Sequence, residues 1–395
     1  MRGVVRRVAN HNLPIMIPRH SARFLVVRLS ARGDLVFASP LAGALRRSYP
    51  RAYIAWAAEE RTADVIRHNP NLDEVIVWER ASWRRMFRAG RWGTLSRAVG
   101  EFVGGLRERR FDVAIDAQGL LKSGGFAFLS GAPVRIGLGS REGSRVLMTH
   151  IVKRGGDARK MGSEYAHLAS VLGLETGSFA MHIPRGAAET DLADRVVRDG
   201  GLGAGFVAAC PFTTAGYKHW FEDRWSALIG GIRERMGLGV ALLGGPADRP
   251  AADRIVAGAA KLAAPEAPLV DLVGRTTLGE ASAVVSRCSV LVGVDTGLSH
   301  MAPAYGRPAV LLFGSNTPYL DPPRADVAIL HSGRGCSPCR GRLTCEGRID
   351  CMADLSVGQV LTALEAGLAA RSLAGPAGVT RLAHAPRSPQ PAQVQ

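Results

Sequence analysis

Val292-Gly293-Val294-Asp295-Thr296-Gly297-Leu298-Ser299-His300 runs from an apolar stretch directly into an Asp-Thr-Gly turn and then into helix-forming sequence. A buried strand that passes to a helix through a tight glycine-containing turn is the building unit of a parallel α/β sheet. Backbone N–H groups at such a helix start have no partner inside the helix, and Gly297 allows close approach, so the turn suits phosphate oxygens. Asp295 would repel a diphosphate, and its carboxylate is better matched to a sugar hydroxyl. His300 falls one turn into the helix, where it reads either as part of the same site or as a structural histidine. A single Asp-Thr-Gly in an α/β pattern excludes an aspartic protease, which carries a pair in β-rich sequence.

Working outward, similar apolar runs recur at residues 206–209, 240–243, 269–273 and 309–313, and earlier at 24–27, 75–77, 113–115 and around Ile136. Amphipathic stretches of helical length separate them. Two successive doubly wound α/β domains with parallel sheets are therefore expected, and 395 residues is a length that supports two such cores. Ile183-Pro184-Arg185-Gly186 interrupts the pattern, which sets domains at residues 23–184 and 185–372. Residues 1–22 form a basic flexible tail and 373–395 a disordered one, since neither carries a period. Ligands of doubly wound sheets sit beyond the carboxyl ends of the strands, so the residues just after each apolar run are the informative ones.

After the first run comes Arg28-Leu29-Ser30-Ala31-Arg32-Gly33-Asp34-Leu35. Asp34 reads as a first-turn carboxylate facing the helix N-terminus, or as a general base for a sugar hydroxyl. After the run ending near Pro211 comes Phe212-Thr213-Thr214-Ala215-Gly216-Tyr217-Lys218-His219-Trp220. Thr213 and Thr214 can donate to a diphosphate and Lys218 can supply the charge of a metal ion; the alternative is a polar loop with threonine capping. The site lacks a Walker pattern, so ordinary ATP hydrolysis is not indicated.

Cys336, Cys339, Cys345 and Cys351 have the spacing C-x2-C-x5-C-x5-C, within the second domain at 336–351. They read as a structural tetrahedral zinc or single-iron site, or as free or redox-linked thiols, outside the predicted chemistry. Cys210 and Cys288 sit in apolar surroundings and read as small core residues.

Fifty Lys and Arg against 34 Asp and Glu give a net charge of +16, so the partner is anionic: nucleic acid, a membrane surface, or simply solvent over an arginine-rich face. Nucleic acid is not expected, because zinc-finger, RRM and KH signatures are missing and aromatic residues are only 6%. No stretch reaches the ~18–20 apolar residues of a membrane span, and a secretory signal is not evident, which indicates a cytoplasmic protein.

Several separated motifs occur in one order: residues 28–34 with Pro40; residues 111–123, Phe-Asp-Val-Ala-Ile-Asp-Ala-Gln-Gly-Leu-Leu-Lys-Ser; Arg135-Ile136-Gly137; residues 213–220 and 294–300; Phe313-Gly314 with Thr317-Pro318; and Cys336-Ser337-Pro338-Cys339. In these the chain resembles the lipopolysaccharide heptosyltransferases of glycosyltransferase family 9, over roughly residues 24–365. The resemblance implies a GT-B architecture, two Rossmann-like domains facing a cleft, and inverting transfer without a catalytic metal. The implied donor is ADP-L-glycero-D-manno-heptose and the implied acceptor an anionic, lipid-linked lipopolysaccharide inner core. The enzyme would lie peripherally on the inner face of the inner membrane. Asp34 takes the role of general base, Thr213, Thr214 and Lys218 that of holding the diphosphate, and Asp295, Thr296, Gly297 and His300 surround donor sugar and phosphates. Arg135, Arg141 and Arg145 are candidate acceptor contacts, or else a solvated arginine surface. Where the family often has Gly-Pro-Thr, this chain has Gly314-Ser315-Asn316-Thr317-Pro318, which bears on donor specificity. Transfer to an adhesin protein, transfer from another nucleotide sugar, and a non-catalytic nucleotide-binding module are the alternatives.

Overall fold

The computed structural model describes residues 22–203, 205–262, 267–342 and 345–374. The tails expected at 1–22 and 373–395 fall outside these, apart from Ala22 and the end of the last helix.

The N-terminal half contains β1 (Arg23–Val27), α1 (Arg32–Ala38), α2 (Pro40–Ser48), β2 (Tyr53–Glu59), β3 (Glu74–Trp78), α3 (Arg80–Arg88), α4 (Trp92–Glu108) and β4 (Val113–Asp116). It continues with α5 (Leu121–Leu129), β5 (Val134–Leu138), β6 (His150–Val152) and α6 (Ser163–Val171). Its strands are all parallel, in the order β3-β2-β1-β4-β5-β6. After α7 (Ala187–Asp199) follow β7 (Phe206–Cys210), α8 (Glu222–Met236), β8 (Gly239–Leu242), α9 (Arg249–Ala260), β9 (Leu269–Asp271) and α10 (Leu278–Arg287). The last described elements are β10 (Val290–Val294), α11 (Gly297–Ala304), β11 (Ala309–Phe313), β12 (Val327–His331), α12 (Asp350–Ala353) and α13 (Val357–Ala374). This second sheet is also parallel, in the order β12-β11-β10-β7-β8-β9.

Numbered within its own half, each sheet reads 3-2-1-4-5-6, the Rossmann order, in which the winding reverses between the first and fourth strands. Those reversals fall between β1 and β4 and between β7 and β10. Every residue of β7, β10 and β11 is buried, which explains why they read as unbroken apolar runs rather than alternating ones: helices cover both faces.

Three strands were not anticipated. β2 contains Ala55, Ala57 and Ala58, residues that favour helix in isolation, and its pairing on both sides with β1 and β3 overrides that preference. β6 and β12 are the outermost strands of their sheets, and β6 has only three residues. β9 is shorter than the expected run and ends at Asp271.

The two halves meet where α1 and α11 begin. A Cβ on Gly33 would lie 2.9 Å from His300 Cδ2, and one on Gly297 would lie 2.5 Å from Arg32 Cβ, so glycine at both positions allows the first turns to abut. One hydrophobic cluster holds Val36 and Phe37 of the first half together with Met301, Ala302 and Phe313 of the second. Each of the larger ones, Val36, Phe37, Met301 and Phe313, contributes about 1.5–3 kcal/mol when fully buried.

Candidate active site

At the first switch point the loop after β1 is tied to the loop after β4. Leu29 N–H donates to Gln118 Oε1 at 2.9 Å, and Asp116 Oδ1 accepts from Gln118 and Gly119 N–H at 3.0 and 2.9 Å. Gly119 has φ +71°, and a Cβ there would lie 2.1 Å from the Leu138 carbonyl oxygen, so only glycine fits. On this support Asp34 occupies the first turn of α1. Its Oδ2 accepts from Ala31 N–H at 3.2 Å and from Arg28 Nη2 at 2.5 Å. One oxygen thus caps the helix while the side chain stays 40% exposed. Beside it, Lys122 Nζ donates to Ser30 Oγ at 3.0 Å and Glu59 Oε1 at 2.8 Å.

The second switch point gathers charge around Asp295. Lys218 Nζ and Asn316 Nδ2 donate to its Oδ2 at 2.8 and 2.5 Å, and His300 Nε2 lies 2.9 Å from Oδ1. Burial pushes this carboxyl upward, but the hydrogen bond and charge of His300, and after them Lys218, outweigh it and hold the group well below the usual carboxylate range. Asp295 is therefore an anion at neutral pH, and it fixes the lysine that the sequence assigned to the diphosphate. Thr296 is the N-cap residue of α11 and Gly297 its first residue, leaving N–H groups of that turn for a ligand. Thr213 is half-buried and Thr214 exposed on the facing loop. That loop is closed by His219, whose Nε2 lies 2.8 Å from the Thr213 carbonyl oxygen.

The two switch points lie against one another at the junction of the halves. The Phe37 ring lies 4.8 Å from that of His300 and 5.4 Å from that of Tyr319. Burial, and then the charges of Asp295 and Asp34, push the Tyr319 phenol well above its ordinary range, so this side chain senses both carboxylates.

The three arginines expected at the acceptor divide. Arg135 lies near the start of β5, where its guanidinium donates to the carbonyls of Leu147 at 2.8 Å and Ala132 at 2.6 Å. Arg135 thus secures the β5 to β6 connection from the amino end of its strand, opposite the carboxyl edge. Arg141 and Arg145 are exposed in the loop that follows the carboxyl end of β5.

Cys336, Cys339, Cys345 and Cys351 are free thiols that line one small cavity with Ser315 and Asp350. As placed, no three ligating side chains among the described residues are gathered into a coordination set. Their loop is fastened to the donor side, Ser337 Oγ donating to the Gly314 carbonyl at 2.5 Å and Arg340 N–H to that of Ser315 at 2.7 Å.

Sequence reasoning did not single out Arg28, Lys122 or Asn316 for the site. Lys122 stood inside a quoted motif and Asn316 inside a noted departure, so both were visible. Nothing in the sequence marks Arg28 as the buried partner of Asp34.

Two facing Rossmann-like halves with these switch-point residues define a glycosyltransferase of GT-B architecture. The profile of glycosyltransferase family 9 (heptosyltransferase) matches residues 99–349, and the chain belongs to that family. It is 28% identical over 324 residues to lipopolysaccharide heptosyltransferase 1 of Pseudomonas aeruginosa, covering 80% of this chain and 86% of that protein. Among solved structures, a family 9 glycosyltransferase of Veillonella parvula aligns with TM-score 0.72 at 22% identity, over 89% of this chain and 99% of that one. The ADP-heptose lipopolysaccharide heptosyltransferase II of Escherichia coli aligns with TM-score 0.67 at 23% identity, over 88% and 99%.

Proposed function

We propose that the enzyme transfers heptose from ADP-L-glycero-D-manno-heptose to an anionic, lipid-linked lipopolysaccharide inner core, with inversion at the anomeric carbon. The observation that carries this reading is the pairing of one partly open carboxylate, Asp34, with a cationic and helix-terminal cradle at the junction where Gly33 meets His300. Relatives named for lipopolysaccharide heptose transfer support the choice of donor sugar and acceptor.

Asp34, anchored through Oδ2, takes the acceptor hydroxyl proton on its free Oδ1 as that hydroxyl attacks the anomeric carbon. General-base help of this kind is worth about 10²–10⁴-fold. ADP departs from the opposite face. Lys218, Thr213, Thr214 and the N–H groups after Thr296 receive the charge growing on the diphosphate, so preorganised donors stand in for a metal ion. Asp295 orients Lys218 and, with His300, borders the sugar. Arg141 and Arg145 meet the anionic acceptor in this reading, and the net charge of +16 draws the protein to the anionic face of the inner membrane from the cytoplasm. Among the described residues no helix is long and apolar enough to cross a membrane.

The four cysteines suit a structural zinc or a single iron: four thiols of the preferred ligand type surround one cavity. Ligation would draw the side chains inward from their present positions, and its part is structural, not chemical.

ADP release from ADP-heptose by the purified protein in EDTA tests the reading, with a lipid A–Kdo acceptor compared to the same acceptor already carrying one heptose. Release with either establishes metal-independent transfer and ranks the enzyme as first or second on the core. No release with either, despite donor binding by the folded protein, points instead to a protein or another glycan as acceptor.

A further inference from the structure

The α3–α4 hairpin is unlike the rest of the surface. None of the nine residues of α3 is buried, yet the helix is held: Trp83 packs edge-on against Trp78 at 5.8 Å and Phe102 at 5.6 Å. Past this anchor the tip exposes Phe87 (57%) and Trp92 (59%), whose rings meet at 4.8 Å, among the most exposed large apolar side chains described. Between Arg80 and Gly100 stand six arginines and no Asp, Glu or Lys, and Arg84, Arg85, Arg88 and Arg91 are exposed around the aromatic pair. Water solvates such arginines readily but gains nothing from two open aromatic rings, so a surface of this kind marks an interaction site.

We propose that this hairpin tip docks on an anionic phospholipid bilayer, Phe87 and Trp92 entering the headgroup region while the arginines pair with lipid phosphates. Charge complementarity selects the occupant: unopposed positive charge fits an anionic leaflet, and Trp beside Arg is the composition that settles at a membrane–water interface. The placement is also right for the reaction. α3 leaves the carboxyl end of β3, on the same sheet edge as Asp34, and Arg80 Nη1 lies 3.3 Å from Glu59, the partner of Lys122 beside the Asp34 loop. Docking there turns the acceptor side of the site toward the lipid surface. The inference rests on the reading of a lipid-linked acceptor and adds the surface that reaches it.

The test uses the full chain and co-sedimentation with vesicles of phosphatidylcholine alone or with phosphatidylglycerol added. Binding is expected only to the anionic vesicles. F87A/W92A and, separately, R84Q/R85Q/R88Q should each lower the partition coefficient about tenfold or more, each arginine counting for about fivefold. Should the aromatic variant lose thermal stability, the arginine variant decides, because its three positions are solvent-exposed. Unchanged binding by the stable variants, equal binding to neutral vesicles, or tighter binding to an RNA oligomer than to vesicles would overturn the proposal. Binding is read without donor. Failed heptose transfer with intact vesicle binding therefore removes only the functional reading, and lost vesicle specificity with intact transfer removes only the docking surface.

Discussion

The Arg28 guanidinium reaches the Asp34 carboxylate at 2.5 Å, the arginine side chain 7% and the aspartate 40% exposed. One partner is fixed in the protein and the other is open to solvent. On the proposed reading that asymmetry suits a base, since the anchored oxygen sets the geometry and leaves the other free.

Arg28→Met should therefore act on turnover more than on donor binding. With only Ala31 N–H left to hold Asp34, kcat should fall about tenfold or more while ADP affinity stays within about twofold. Breaking a buried pair costs about 3–5 kcal/mol, but the exposed aspartate reduces this to about 1–2 kcal/mol, readable in urea unfolding. Equal losses in kcat and ADP affinity would contradict a positioning role.

Gly33→Ala places a methyl group 2.9 Å from His300 Cδ2 at the junction of the halves. The first turns of α1 and α11 must separate, at a cost of about 1–3 kcal/mol. A lower melting temperature and a larger radius in small-angle scattering are expected, and neither change would mean the halves do not meet here in solution.

The depressed Asp295 carboxyl has a defined pH signature. A carboxyl lowered by folding contributes stability that is full above the unfolded value near about 3.9 and is lost as pH falls through the folded value. The unfolding free-energy gap between wild type and Asp295→Asn should thus be at its full size at about pH 5 and shrink below about pH 4. A gap that widens on acidification would show that Asp295 is not held as an anion by Lys218 and His300.

The six cysteines should separate by reactivity. Burial pushes the Cys288 thiol up to about 12 and Cys210 higher still, so both should resist alkylation until unfolding. Cys336 is exposed and should label first in metal-free protein. Elemental analysis should find one zinc or iron per chain, lost in Cys336→Ser and Cys351→Ser, with native labelling of Cys336 slowed until chelation. Metal-free protein with an unchanged labelling rate would establish plain thiols.

What the sequence disclosed was local. Residues 290–300 announce strand, turn and helix because burial on both faces makes β10 uniformly apolar and Gly297 marks the turn. The switch-point loops were legible for the same reason, as each follows such a run. β2 was hidden because its alanines carry helix preference and only its neighbours make it a strand. The carbonyl contacts of Arg135 were not legible, because sequence does not tell that Ala132 and Leu147 will claim its guanidinium. The contact of Lys218 with Asp295 joins positions 77 apart, and that of Arg28 with Asp34 depends on burial; neither has a local signature.

Asp34 is proposed as the base of a metal-free heptose transfer. Its most direct test is single-turnover transfer from ADP-heptose to a lipid A–Kdo acceptor by Asp34→Asn in EDTA, with ADP affinity measured on the same protein. The predicted result is a rate about 10²–10⁴-fold below wild type with ADP affinity preserved. Near wild-type transfer by a folded variant that binds ADP normally would contradict it.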